Sequence, residues 1–284
     1  MTSAPTRSSV RAVDDRSAAA VAAFLEQPRP GEEPLDAVLA HQLLLDALDR
    51  GDRQRLLMWP GDEPRAVGHL SATGTLVVAG DEAAGDAVAR HVESAGWRVL
   101  LGDAPLAQRI LEVSGHTLLR RRPRAREQRF MVTRAPADLD APVGLRQARA
   151  EDLDAVSDLA CRLHVEDRMG PPLSRSARAG VTERMRESIL RGATWVVERD
   201  GVVAKVDVSL ASRRRGAQIA GVFVEHAWRG RGLATRAVAA VSRQLIADGL
   251  PGVTLHVRAD NTSGRAAYAR AGFVDYAPWI LALR

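Results

Sequence analysis

Arg229, Gly230, Arg231, Gly232, Leu233 and Ala234 are the residues of this chain whose types and spacing best prepare a chemical site. Glycines two residues apart let a backbone bend sharply and approach a ligand closely. Behind them, Leu233, Ala237, Val238, Val241 and Leu245 recur at helical spacing and predict an amphipathic helix whose first amide N–H groups have no partner inside the helix. A helix start of that kind holds phosphate, and Arg229 and Arg231 add guanidinium charge. Ahead of the loop, Ile219 to Val224 is short, apolar and β-rich, as a buried strand should be. Strand, basic glycine loop and helix together make an anion cradle. Its R-x-x-G-x-A spacing is neither the dinucleotide G-x-G-x-x-G fingerprint nor the G-x-x-x-x-G-K-[ST] phosphate loop.

A second block follows about thirty residues on. Thr254-Leu-His-Val-Arg-Ala-Asp-Asn-Thr-Ser-Gly-Arg-Ala-Ala-Tyr-Ala-Arg-Ala-Gly-Phe273 reads as a strand, a turn bearing Asn261, and a helix bearing Tyr268 that closes on Gly272-Phe273. With V-x-V-x-x-x-x-R-G-R-G-L-A-T (222 to 235), this ordered pair of motifs resembles the GCN5-related N-acetyltransferases (GNATs).

The resemblance implies acetyl-coenzyme A as cosubstrate. Its pyrophosphate would lie on Arg229, Gly230, Arg231, Gly232, Leu233, Ala234 and Thr235, with Asn261 nearby. Its pantetheine arm would pair like an extra strand with the backbone of Val222, Phe223 and Val224. That strand's amide would point at the thioester oxygen, and Tyr268 would act as general acid toward the departing thiolate. The implied reaction is direct attack of a primary amine, from a small molecule or a peptide, in a ternary complex. No metal enters this chemistry. Eleven residues ahead of Arg229, where several family members carry a glutamate base, this chain has Gln218, which can position a water but cannot take its proton. Asp207 is a weak candidate for the base, as are Glu225, His226 and His256. A covalent role for Cys161 is weaker still, since a lone helical cysteine usually packs. A non-catalytic acyl-coenzyme A sensor is the competing reading.

Around these residues the C-terminal half supplies the expected frame. Leu145 to Ala148 reads as a strand; Asp154 to Glu166 and Thr182 to Arg191 read as helices, flanking a Met169-Gly-Pro-Pro-Leu loop that by resemblance would wall the acceptor site. Thr194 to Glu198 and Val203 to Leu210 read as a hairpin across Asp200-Gly201. The N-terminal half repeats the strand, helix, strand, helix, strand order. Helices are expected over Ser17 to Glu26, Leu35 to Leu48, Ala83 to Ser94 and Ala104 to Val113. Strands are expected over 55–59, 66–70, 75–78, 97–101 and 128–133. Where a cradle should stand, it reads Val-Val-Ala-Gly-Asp-Glu-Ala-Ala-Gly (77 to 85), with two carboxylates and no arginine. Such a loop repels a pyrophosphate. The fold class expected is therefore α/β (α+β): a degenerate GNAT-like domain over 1–138 and a catalytic one over 139–284, each a mixed, mostly antiparallel sheet flanked by helices.

Composition bounds the rest. A length of 284 residues with 46% apolar content suits two ordinary domains. One cysteine excludes an intramolecular disulfide framework, no segment has the apolar length of a membrane span, and Asp14-Asp15-Arg16 interrupts the N-terminus before a secretory hydrophobic region develops. A cytoplasmic monomer or homodimer is expected, without membrane or nucleic-acid partners, because the net charge of +5 is spread along the chain. The Arg120–Arg126 run reads as a solvated loop, the alternative being a site for an anionic partner. Of 40 basic residues only Lys205 is lysine, a usage that reads as a genome-wide bias.

Overall fold

Alternation of apolar residues at period two, with helical stripes between the strands, lets each sheet bury both of its faces. Val77 and Ala79 point to one side of their strand and Leu76 and Val78 to the other, and each pair lies in a different core. The computed structural model describes residues 10–60, 63–93, 95–114, 123–167, 169 and 172–284. Gly170 and Pro171 of the loop 169–173 and residues 120–122 of the arginine run lie outside them. By backbone packing the chain divides into two units, the first ending at Phe130 and also taking Arg258–Asp260 and Tyr276–Arg284, the second comprising Met131–Val257 and Asn261–Asp275.

The N-terminal unit contains β1 (Arg11–Ala12), α1 (Ala18–Glu26), α2 (Pro34–Ala40), α3 (Gln42–Asp49), β2 (Leu56–Trp59), β3 (Ala66–Leu70), β4 (Thr75–Gly80), α4 (Gly85–Glu93), β5 (Val99–Asp103), α5 (Ala104–Ser114) and most of β6 (Arg124–Thr133). β3 and β4 form the expected hairpin, and β4 then pairs in parallel with β5 through the α4 crossover. One core gathers Leu76, Val78, Val88, Val92, Trp97, Leu100, Leu106 and Ile110. The opposite face buries Val21, Leu25, Leu44, Leu45, Leu56 and Met58 under α1 and α3.

The C-terminal unit contains β7 (Leu145–Gln147), α6 (Leu153–Glu166), α7 (Arg175–Leu190), β8 (Thr194–Arg199), β9 (Gly201–Ser212), β10 (Gly216–Val224), α8 (Leu233–Ala247), β11 (Val253–Arg258) and α9 (Thr262–Arg270), followed by β12 (Val274–Leu283). Its strands run in the order β11-β10-β9-β8-β7. β8 and β9 pair across Asp200, β9 and β10 are antiparallel, and β10 and β11 are parallel with α8 as crossover. Leu233, Ala237, Val238 and Val241 of α8 pack on Val206, Val208, Ile219, Val253 and Leu255. On the other face Val156 of α6 meets Val196 of β8, with Met185 and Ile189 of α7 beside them.

Besides β6, which begins at Arg124 and so takes Arg124–Arg126 of the expected solvated loop into a strand, three elements differ from the sequence expectation. The helix expected over Leu35–Leu48 is broken at His41, whose Nδ1 lies 2.6 Å from the Leu25 carbonyl oxygen. α7 begins seven residues earlier than its apolar pattern suggests, because Ser174 caps it by accepting a bond from the Ala177 amide (3.3 Å). The third is β12. Trp279–Leu283 pair antiparallel with Val99–Asp103, and Ile280 and Ala282 enter the core of the N-terminal unit, so the chain's last residues belong to a different unit from the segment that precedes them.

Ala282→Asp would place an uncompensated carboxylate in that core and should destabilise the N-terminal unit by about 3–5 kcal/mol. Hydrogen exchange checks this: protection should fall first in β4, β5, α4 and α5. First loss in α8 would contradict the assignment of β12.

Candidate active site

The glycines of the cradle make the geometry the sequence asked of them. Gly232 is the N-cap of α8 at φ 70°, Gly230 has φ 75°, and a Cβ at either would meet nothing within 4 Å. No side chain caps α8, and its first backbone bond runs from the Arg236 amide to the Gly232 carbonyl (3.0 Å). The amides of Leu233, Ala234 and Thr235 therefore lack helical partners. With the dipole of the 15-residue helix behind them, such unpaired amides suit an anion.

The arginines behave differently from one another. Arg229 is braced rather than extended: its Nη2 donates to Glu166 Oε2 (2.6 Å), its Nε to the Val224 carbonyl (2.9 Å), and its guanidinium lies 5.2 Å from the Phe223 ring centre. His226 Nε2 lies 2.8 Å from the other Glu166 oxygen. Arg162 of α6 forks onto both oxygens of Glu225 and stacks on Phe223 at 5.4 Å. This brace removes Glu225 and His226 from free service as bases. Arg231 lies 4.8 Å over Trp228.

The strand ahead of the cradle departs from regular pairing with β9 at two points, the first between Gln218 and Ile219. β10 pairs with β11 only at Ala217, Gln218 and Ile219, and beyond these no pairing holds the two strands. Against β9 its register shifts between Ala220 and Phe223, a bulge centred on Gly221 at φ 71°. Val222, Phe223 and Val224 follow the bulge, so their β11-facing edge is available to an extended ligand. Phe223 is buried beneath the arginine brace, while Val222 and Val224 are half-buried.

Polar groups collect around the bulge. Gln218, 7% exposed, accepts from Ser209 Oγ (2.9 Å) through Oε1, and its Nε2 has no hydrogen-bond partner among the described residues. Asp207 accepts from Lys205 Nζ and from Thr194 Oγ1 (3.1 Å), and Ser188 Oγ lies 2.8 Å from Thr194 Oγ1. Burial pushes the Asp207 carboxyl up, against the opposing pull of Lys205. Both ring nitrogens of His256 are out of solvent contact, and burial lowers its pKa to about 3, so it is neutral at working pH.

α9 carries the remaining candidates. Asn261 caps it, accepting the Gly264 amide through Oδ1 (2.9 Å), which leaves only its amide N–H groups for a ligand. Tyr268 packs against the core of the C-terminal unit with Phe273 at 6.4 Å between ring centres. Burial, with a smaller push from Asp167, raises the phenol well above its ordinary value, so it is a protonated donor. Cys161 is buried within α6. Lys205, Ser209, and Arg162 and Glu166 of the brace were not anticipated as site residues. Only Lys205 had a signal, its solitude among the basic residues.

In the N-terminal unit the equivalent positions are self-occupied. Asp81 accepts the Ala83 amide (2.8 Å) at the helix start and pairs with Arg65, and Asp103 Oδ2 accepts the Gly80 amide (3.1 Å), tying the end of β4 to β5. Beside them lies an open cleft of about 450 Å³ in which Arg29 and Arg65 face Asp103 and Asp81. Among the described residues no group of three or more His, Cys, Asp or Glu side chains could hold a metal ion, and no helix is long and apolar enough to cross a membrane.

Residues 159–273 match the model of the acetyltransferase (GNAT) family. Among solved structures, a GCN5-related N-acetyltransferase from Sphaerobacter thermophilus is similar over 97% of this chain and 94% of its own, with a TM-score of 0.62 at 21% identity. A Drosophila protein is similar over 97% and 98% (TM-score 0.63, 15% identity). An acetyltransferase of the GNAT family from Colwellia psychrerythraea is similar over 96% and 98% (TM-score 0.54, 14% identity). These likenesses establish a shared fold across both halves of the chain. A comparison with curated proteins returns no match.

The buried imidazole gives a pH dependence with a definite sign. The folded state holds a proton on His256 only near pH 3, whereas the unfolded chain takes one near the ordinary value of 6.5, so the unfolded state binds more protons in between. Stability should fall as pH drops through that window, by up to about 1.4 kcal/mol per pH unit from this group. Urea midpoints at pH 7 and pH 4.5 check it: His256→Gln should show a smaller acid loss than the parent, and an equal loss would contradict the burial.

Proposed function

We propose, from the match of residues 159–273 to the acetyltransferase (GNAT) family model, that the chain transfers an acetyl group from acetyl-coenzyme A to a primary amine, by direct attack in a ternary complex. The observation that carries this reading is the uncapped start of α8 behind Gly230 and Gly232, beside a β10 that stops pairing with β11 after Ile219. One feature suits a pyrophosphate, the other an extended pantetheine arm.

In this reading the amides from Gly230 to Thr235 hold the pyrophosphate, with Arg231 contributing charge and Arg229 fixing the loop through Glu166. Asn261 offers its amide N–H groups to the coenzyme. The main chain of Val222, Phe223 and Val224 pairs with pantetheine and presents an amide to the thioester oxygen, where charge develops. The amine nitrogen attacks the carbonyl carbon, the C–S bond breaks, and Tyr268 gives its proton to the thiolate. The amine's proton leaves through a water held by Gln218, or to Asp207. The acceptor is a small-molecule or peptide amine. A second reading, an acyl-coenzyme A sensor without turnover, is favoured by one observation: Gln218 stands where a carboxylate base would be, and Asp207 is already paired.

Titration calorimetry should give one acetyl-coenzyme A per chain, because Asp81 and Asp103 fill the equivalent positions of the N-terminal unit. Gly232→Glu should abolish that binding and the accompanying rise in Tm. A stoichiometry of two, or full binding by Gly232→Glu, would refute the site.

Tyr268→Phe removes a donor used mainly in the transition state, so kcat should fall by about 10² to 10⁴ with little change in coenzyme affinity. Steady-state rates with an acceptor drawn from a panel of amines, peptides and aminoglycosides measure this. A variant as fast as the parent removes Tyr268 from the mechanism.

A further inference from the structure

The only lysine in the chain is also among its largest fully buried side chains. All other basic residues are arginine, yet Lys205, on β9, is 1% exposed. Its amino group donates to the Gly221 carbonyl oxygen (2.8 Å) and to the Asp207 carboxylate. Both partners belong to the bulge: Gly221 is its left-handed residue, and Asp207 pairs in register with Ala220 just before the shift. The packing there is tight, since a Cβ on Gly221 would collide with Asp207 Oδ2 and come within 3.0 Å of Lys205 Nζ.

A buried ion pair is poor evidence for stability, because well-packed apolar side chains commonly do as well or better. In a sequence that otherwise uses arginine for every cation, one buried lysine at one irregular turn of backbone needs another reason. Chemistry supplies it. An ammonium is compact and can direct separate N–H donors at a carbonyl and a carboxylate from a single point, whereas the planar guanidinium fork needs more room and a flat partner. What the bond holds is the Gly221 carbonyl, and fixing that peptide's orientation fixes the amide that follows it. The strand beyond is the edge left unpaired where β10 and β11 part.

We propose that Lys205 is a positioning residue for acyl transfer: by binding the Gly221 carbonyl and Asp207 together it locks the β10 bulge, so that the main-chain amide after the bulge is aimed into the gap between β10 and β11 where the thioester lies. This rests on the acyl-transfer reading above. Lys205 touches no substrate and acts through the backbone.

Because Lys205 is the only lysine, full-length protein grown with side-chain-labelled lysine gives a single amine signal, and no mutation is needed to observe it. That signal should move on saturation with acetyl-coenzyme A. Lys205→Met should retain coenzyme A binding, lose the shift of the ¹³C-labelled thioester carbonyl seen on binding to the parent, and release thiol about 10²-fold more slowly, the scale of one lost oxyanion donor. A purely structural lysine would lower Tm without changing the carbonyl shift. Should the variant not fold, the lysine signal of the parent still decides. A parent that binds no acetyl-coenzyme A overturns the functional reading and this inference with it. A parent that binds, with a lysine signal indifferent to the ligand or a Lys205→Met variant that keeps the carbonyl shift, overturns this inference alone.

Discussion

A β-strand's amides must be bonded, to a neighbouring strand, to water or to a ligand, and β10 cannot pair throughout with both neighbours and still offer an edge. The C-terminal unit resolves this at Gly221. Before it, β10 is paired on both sides and anchors the core that α8 covers; after it, the strand keeps β9 and leaves β11. A buried amide without a partner costs about 1–3 kcal/mol, so such an edge persists only where solvent or a ligand can reach it. The N-terminal unit shows the closed solution, with the Asp103 carboxylate bonded to the Gly80 amide at the end of the corresponding parallel pair. The same topology thus supports an open edge or a sealed one, and a few side chains decide which.

The charges around the cradle do less energetic than geometric work. The Arg229–Glu166 and Arg162–Glu225 pairs are partly exposed, and pairs of that kind contribute about 0–1 kcal/mol each. Their value lies in stacking two guanidiniums on Phe223 and tying α6 to the loop that opens α8. A loop carrying two positive-φ glycines is otherwise free to adopt many shapes. The brace narrows that choice before any anion arrives.

What could be read from the sequence was whatever is written locally. The glycine spacing, the stripe of α8, the Asp200-Gly201 turn and the turn bearing Asn261 each involve residues within a few positions of one another, and all were legible. The partnership of Arg229 with Glu166 spans 63 residues and leaves no local trace, which is why the sequence suggested only a charge for the phosphates. The same holds for β12: nothing in Val274–Leu283 says that its partner is β5, some 180 residues earlier in the chain. The break at His41 depends on a carbonyl in another helix. Lys205 was visible as a count, but its meaning lay in burial and in the Gly221 carbonyl, which composition cannot supply.

The place of β12 sets an order of events in biosynthesis. β5 leaves the ribosome long before its antiparallel neighbour exists, since the whole C-terminal unit must be translated in between. At bacterial or eukaryotic elongation rates of about 5–20 residues per second, that interval lasts on the order of ten to forty seconds. During it the nascent sheet presents an unpaired, apolar edge of the kind that recruits other chains. The half of the molecule made first is therefore the half completed last, and it is the part of the nascent chain with most reason to be shielded by a chaperone.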